Sequence, residues 1–220
     1  VITLALDAST YTGDVALLDD TRVLAEESLA MRDAMHERLM PAVATVLGRA
    51  GVDVRQIERV VCGAGPGSFT SLRIAGSIAK GIAAGVGVPL YAVPSMALLL
   101  GASVGAGRYL TALDALRGEL YVALYQVGDD AEIVELEPAG IVATDELATL
   151  ASRFGARVVS PVPFENGVLA SPRAAAVAHL GELLAARGPV DLAAWEPSYG
   201  RLAEAQVKWE SAHGRPLPVG

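Results

Sequence analysis

Val1-Ile-Thr-Leu-Ala-Leu-Asp-Ala8 reads as a strand that closes on Ala5-Leu6-Asp7-Ala8, and Ala112-Leu113-Asp114-Ala115 repeats the same four residues more than a hundred positions later. The four-residue identity is a weak signal, because Ala and Leu are common. The order of elements around it is a stronger one. After Asp7 come a strand at Asp14–Leu18, the turn Asp19-Asp20 and a strand at Arg22–Glu27. After Asp114 come a strand at Glu119–Val127, the turn Gly128-Asp129-Asp130 and a strand at Glu132–Leu136. Both halves then turn helical. A supersecondary pattern that occurs twice in one chain predicts an α/β fold of two related lobes. The boundary is placed near Ser103 to Arg108, where Gly101, Gly105 and Gly107 loosen the chain. Residues 1–105 are expected to form the first lobe, and residues 106–220 the second lobe with a tail from Pro189.

Two helices are expected in the first lobe. Ala34–Ala50 places Met35, Leu39, Val43, Val46, Leu47 and Ala50 on one face, and Pro41 should kink it near Glu37. Thr70–Val86 carries a row of small residues, Ser71, Ala75, Ala79 and Ala83, at four-residue steps, flanked by Leu72, Ile78, Ile82 and Val86. A second helix could lie close in that row. Met35, His36, Leu39, Val43, Phe69, Leu72, Ala75, Ala79, Ile82 and Ala83 are therefore candidates for an interface with another subunit. The bland alternative is that the chain's own lobes cover them all. In the second lobe Asp145–Phe154 and Arg173–Arg187 read as helices, with Pro161, Pro163 and Gly167 in a loop between them.

Between the two first-lobe helices, the strand Ile57–Cys62 empties into Gly63-Ala-Gly-Pro-Gly-Ser-Phe-Thr70. Bare amides ahead of a helix N-terminus suit an anion, so Gly65, Gly67, Ser68 and Thr70 are candidate phosphate-binding residues. The spacing matches neither common nucleotide loop. A Walker A loop needs Gly-Lys-Ser/Thr at the helix start, and a dinucleotide fingerprint needs its third glycine one residue later. The competing reading is a helix capped by Ser68 or Thr70 and led in by Pro66.

Composition narrows the classes. Hydrophobic residues make up 52% and charged residues 19% of 220, which describes a globular chain with a substantial core. The longest apolar run, Leu90 to Gly107, is broken by Pro94 and glycines, so neither a membrane span nor a secretory signal is expected. A single cysteine, Cys62, excludes an internal disulfide and fits a cytoplasmic protein, with Cys62 as a small core residue. The net charge of −8, with no Lys/Arg cluster, argues against autonomous nucleic-acid binding. His36, His179 and His213 lack metal-ligand spacing, so no metal site is expected. Ser68 lacks a nucleophile elbow. Asp7 and Asp114 either bond their turns or face each other across an interlobe cleft.

Leu4-Ala-Leu-Asp-Ala-Ser-Thr10, His36-Glu-Arg-Leu-Met-Pro41, Gly65-Pro-Gly-Ser-Phe-Thr-Ser-Leu-Arg-Ile74, Ala79-Lys-Gly81 and Leu113-Asp-Ala-Leu-Arg-Gly-Glu-Leu-Tyr-Val122 together resemble the TsaB (YeaZ) family. The tail Val207-Lys-Trp-Glu-Ser-Ala-His-Gly-Arg-Pro216 is similar to that of actinobacterial members. The resemblance implies a duplicated, two-lobed ASKHA (actin/Hsp70-like) fold with mixed sheets flanked by helices. It further implies a non-catalytic scaffold in the formation of N6-threonylcarbamoyladenosine (t6A) at tRNA position 37. The implied partners are a TsaD-type transferase and a TsaE-type ATPase, with tRNA reached through the complex. The chain alone would need no cofactor; ATP or ADP could sit at the complex interface, and the free protein could pair with itself. TsaD carries two metal-binding histidines in a V-N-H-x-E-G-H pattern, and the matching stretch here, Val93-Pro-Ser-Met-Ala-Leu-Leu99, has Ser95 and Leu99 at those positions. The family's Glu-Pro-Leu-Tyr-Leu-Arg tail motif is Glu196-Pro-Ser-Tyr-Gly-Arg201. The alternative is a self-standing phosphotransferase or hydrolase of the same fold, for which Leu116-Arg117-Gly118 offers a sparse second phosphate loop.

Overall fold

The computed structural model describes residues 1–31, 37–101 and 104–200. Met35, His36, Trp209 and His213 lie outside the described residues. Ten strands form two five-stranded mixed sheets. The first contains β1 (Ile2–Asp7), β2 (Thr12–Asp19), β3 (Arg22–Ala30), β4 (Arg59–Gly63) and β5 (Leu90–Val93), in the order β3-β2-β1-β4-β5. The second contains β6 (Gly107–Asp114), β7 (Glu119–Val127), β8 (Ile133–Ala143), β9 (Arg157–Ser160) and β10 (Val168–Leu169), in the order β8-β7-β6-β9-β10. In each sheet the first three strands form an antiparallel meander and the last two join in parallel. One topology thus occurs twice, which is the duplicated ASKHA fold.

The helices are the parallel crossovers. In the first sheet α1 (Leu39–Ala50) joins β3 to β4, and α2 (Phe69–Val86) joins β4 to β5. In the second, α3 (Leu147–Phe154) joins β8 to β9, but β9 reaches β10 through residues 161–167 with no helix. Two helix expectations need correction. α1 starts at Leu39 rather than Ala34, because the Glu37 carboxylate accepts the Leu39 and Met40 amides and caps it there. Pro41 consequently sits in the first turn, where its missing N–H has no helical partner to lose, and no kink follows. Arg173–Arg187 is two elements. Ala174–His179 is a 3₁₀ helix, Leu180 breaks the ladder at φ −115°, and α4 (Gly181–Arg187) follows.

Three apolar layers result. The outward face of the first sheet, with Leu4, Leu6, Val15 and Leu17, packs on Leu39, Val43 and Val46 of α1 and on Ala75, Ala79 and Ala83 of α2. Its inward face, with Ala5, Ala16 and Leu18, joins Tyr109, Tyr125 and Val127 of the second sheet in one shared core. Residues 97–100 and 174–179 fill the space between them. The outward face of the second sheet packs on Leu147 of α3. After α4 the chain returns to the first lobe, where the Val190 amide bonds the Leu90 carbonyl.

Candidate functional site

The hairpin after β1 and the hairpin after β6 face one cleft. Each strand ends on an aspartate that accepts the amide two residues on, from Ser9 to Asp7 Oδ2 at 2.9 Å and from Leu116 to Asp114 Oδ1 at 2.7 Å. The two aspartates then differ. Asp114 is exposed and lines the cleft. Asp7 is fully buried and also accepts the Ser9 hydroxyl at 2.8 Å and the Ser95 hydroxyl at 2.5 Å. Burial raises the Asp7 pKa from its ordinary value, against the lowering effect of the Ser95 and Ser9 bonds. Asp7 is saturated by its own chain, and among the described residues no group of three or more His, Cys, Asp or Glu is placed to hold a metal.

The glycine loop is likewise spent on the fold. The Ala64 amide bonds Val93 O, the Gly65 amide bonds Ser95 Oγ, and the Ser68 amide bonds Ser9 O. A Cβ on Gly65 would lie 2.1 Å from the Ser198 carbonyl oxygen, and one on Gly67 would lie 2.1 Å from that of Ser9. Both glycines are there for backbone close approach. Ser68 occupies the N-cap position, but its hydroxyl bonds Ser71 Oγ at 3.1 Å rather than a backbone amide. The candidate phosphate cradle of Gly65, Gly67, Ser68 and Thr70 thus lacks the free Gly65 and Ser68 amides that it requires.

The cleft itself encloses about 1060 Å³. Tyr11, Phe69, Tyr121 and Tyr199 converge on it, with Leu116, Ile141 and Val162 at its margins and Asp114 and Arg117 among its few charged groups. Tyr199 arrives on a strap formed by residues 195–200. The strap's Ser198 amide bonds Ala64 O, Pro197 rests on Gly76, the Trp195 carbonyl accepts Lys80 Nζ at 2.9 Å, and the Tyr199 ring meets Phe69 at 4.5 Å. Gly200 stands where the family pattern expects Leu. Its φ is 74°, and a Cβ there would lie 2.4 Å from the Tyr121 hydroxyl. Leu116, Arg117 and Gly118 all have positive φ, so the β6–β7 turn holds a bulky residue in a backbone region that favours glycine.

The candidate interface residues divide by face. Leu39, Val43, Leu72, Ala75, Ala79 and Ala83 are fully buried, and Ile82 is nearly so. The small-residue row packs against this chain's own sheet, so it offers no free groove. Only Phe69 among the described candidates is exposed. The outward face is another set: Met40, Ala44 and Gly48 on α1, and Arg73, Ser77, Gly81 and Gly85 on α2. A Cβ added at Gly48, Gly81 or Gly85 would meet nothing among the described residues within 4 Å. The sequence signal for this face was the Gly81/Gly85 pair at helical spacing inside an expected helix.

Ser95 and Leu99 are also inside the protein. Leu99 is a core residue at 1% exposure and Ser95 is fully buried on Asp7. Cys62 is fully buried, and burial followed by the Asp7 charge pushes its thiol well above the ordinary range, as expected for an inert core residue.

A family model described as TsaD, tRNA N6-adenosine threonylcarbamoyltransferase, matches residues 23–194. The tRNA threonylcarbamoyladenosine biosynthesis protein TsaB of Bacillus subtilis is 29% identical over 94% of this chain and 96% of its own. The Escherichia coli TsaB is 40% identical over 56% of this chain and 54% of its own. The solved YeaZ structure from Pseudomonas aeruginosa superposes with a TM-score of 0.75 at 28% identity, covering 90% of this chain and 99% of that one. With the doubled sheet topology, the Gly65–Ile74 loop and helix start, and the Bacillus subtilis and Pseudomonas aeruginosa matches over nearly the whole chain, the chain belongs to the TsaB (YeaZ) family.

Proposed function

We propose that this chain is a non-catalytic scaffold subunit in t6A formation at tRNA position 37, and that it docks and activates a TsaD-type transferase through the outward faces of α1 and α2. Family membership supports the role in t6A biosynthesis. The observation that carries the docking face is a set of three exposed helix glycines with open space beside them among the described residues, Gly81 within α2 and Gly48 and Gly85 in the last turns of α1 and α2. Gly81 costs its helix about 0.5–1 kcal/mol relative to alanine, and no packing among the described residues requires any of the three. Gly48, Gly81 and Gly85 suit a partner helix that approaches to near backbone contact. The same face can pair two copies of this chain when the transferase is absent. A TsaE-type ATPase completes the assembly in the cytoplasm, nucleotide sits at a subunit interface, and tRNA is held by the complex rather than by this acidic chain. The non-catalytic reading is supported by Ser95 and Leu99, which are committed to the core. The self-standing phosphotransferase reading is disfavoured by the engaged amides of the glycine loop.

The test is Gly81→Leu, at an exposed position. The variant is expected to keep its circular dichroism and lose co-elution with the transferase, and t6A formation by the mixture should fall with it. A folded Gly81→Leu protein that binds the transferase as well as wild type would remove the docking face. Turnover of threonine, bicarbonate, ATP and tRNA by this chain alone would remove the scaffold reading.

A further inference from the structure

Asp14 lies directly opposite Asp7 in the β1–β2 pair, so both side chains leave the sheet on the same inward face. Both are fully buried. Neighbouring acids in a dry core are costly when both are ionised. Asp7 is served by Ser9 and Ser95, whereas Asp14 draws partners from the far end of the chain. Its Oδ1 accepts the Ala174 amide at 2.7 Å across 160 residues, and its Oδ2 accepts the Ser28 hydroxyl at 2.5 Å. The Arg173 guanidinium stands 3.4 Å from Oδ2 and pairs with Glu26 at 2.6 Å. Ala174 opens the 3₁₀ helix that packs on β1, β2 and β3. A carboxyl of the first sheet therefore caps a segment contributed by the second half.

We propose that Asp14 is a proton-linked clasp between the two halves of the chain: its neutral form fastens residues 173–179 to the first sheet, and its ionised form holds them less tightly. Protonation leaves the clasp connected. The Ser28 hydroxyl can turn to accept the Asp14 O–H, the other oxygen keeps the Ala174 amide, and Arg173 keeps Glu26. Detachment of the segment returns Asp14 to water, where an aspartic acid ionises near pKa ~3.9. In the closed clasp, burial lifts it to about 6, against the bonds from Ser28 and Ala174 and the Arg173 charge, with Glu26 adding to the rise. The closed state thus binds the proton more tightly, and falling pH favours closure between roughly pH 7 and 4. Above that window both states are ionised, and below it both are neutral. The two-unit difference limits the effect to about a hundredfold. Among the described residues the other charged groups facing the site are Asp7 on β1, Glu26 on β3 and Arg173; the 97–100 turn brings none.

Hydrogen exchange of the peptide spanning 173–179 tests the clasp, with rates corrected for intrinsic exchange, at about pH 5 and about pH 7.5. Wild type is expected to be about tenfold more protected at the lower pH, and Asp14→Asn to show no such difference. Any effect of His179 is common to both proteins. The same pH dependence in Asp14→Asn would overturn the proposal. If that variant does not fold, carboxyl-carbon NMR of the unaltered protein decides: an Asp14 midpoint near 6 supports the clasp, and one below about 4.5 overturns it. Arg173→Met should move that midpoint upward, and a fixed or lowered midpoint would count against the clasp.

Discussion

The Ser95 hydroxyl donates to Asp7 Oδ1 at 2.5 Å while accepting the Gly65 amide at 2.9 Å, so one side chain ties the end of β1 to the glycine loop. Ser95 thereby completes a buried hydrogen-bond network with Asp7 and the Gly65 amide. Ser95→Ala strands a buried carboxylate oxygen and a buried amide together. The expected loss is about 2–3 kcal/mol in urea unfolding at neutral pH. Removing a donor from the carboxylate raises the Asp7 pKa further, because the Ser95 bond is one of the effects that lower it. The loss should therefore shrink as the pH falls and Asp7 is neutralised. A loss that grows on acidification would contradict this role for Ser95.

The two faces of α2 should answer mutation in opposite ways. Ala79 is fully buried against the first sheet, and Gly81 faces open space two residues later. Ala79→Glu buries an unpaired charge and should cost more than about 3 kcal/mol, enough to unfold a marginal domain. Gly81→Ala should stabilise the free protein by about 0.5–1 kcal/mol through helix propensity alone. Thermal unfolding of both variants, read by circular dichroism, checks the assignment of faces. A well-folded Ala79→Glu protein would show that the row is not packed as described.

The doubled topology was legible in sequence because strand order, turn residues and the Ala-Leu-Asp-Ala repeat all agree. The faces of the helices were less so. Leu39, Val43 and Ala79 give a periodic apolar stripe, and a stripe marks what is buried without saying whether the chain's own sheet or a partner covers it. Gly81 carried the missing information, since a glycine inside a helix costs stability and needs a reason. The short strands β5, β9 and β10 lack room for a period-2 pattern. The start of the 3₁₀ helix at Ala174 is set by tertiary bonds, with Arg173 and Ala174 held by Asp14 and the Arg173 amide on Leu98 O. No local signal predicts a partner 160 residues away.

Leu116 holds a φ of 64° with its side chain 60% exposed at the rim of the cleft. A left-handed backbone costs a branched residue about 1–2 kcal/mol, and glycine avoids that cost while giving up part of the gain as unfolded-chain entropy. Leu116→Gly is expected to raise stability by roughly 0.5–1 kcal/mol, because little packing is lost. A decrease in the urea midpoint would mean that the exposed side chain supports the fold after all.

Gly200 tests the strap. Its φ is 74°, and a Cβ there would lie 2.4 Å from the Tyr121 hydroxyl. Restoring the family's residue as Gly200→Leu adds bulk against β7 and strains the backbone at once. The strap should lift from the cleft, which takes the Tyr199 ring from Phe69 and Pro197 from Gly76. The sheets lie beneath it and should keep their structure. Far-UV circular dichroism is expected to be unchanged, while Trp195 emission, read with Trp209→Phe in both proteins, shifts to longer wavelength as the indole gains water. Proteolysis should cut near residues 190–200 sooner than in wild type. The expected stability loss is modest, about 1–2 kcal/mol, because the strap covers α2 without forming its core. Unchanged Trp195 emission together with unchanged proteolysis would mean that the clash is relieved by movement of Tyr121, and that the strap is held by Ser198 on Ala64 rather than by the fit at Gly200.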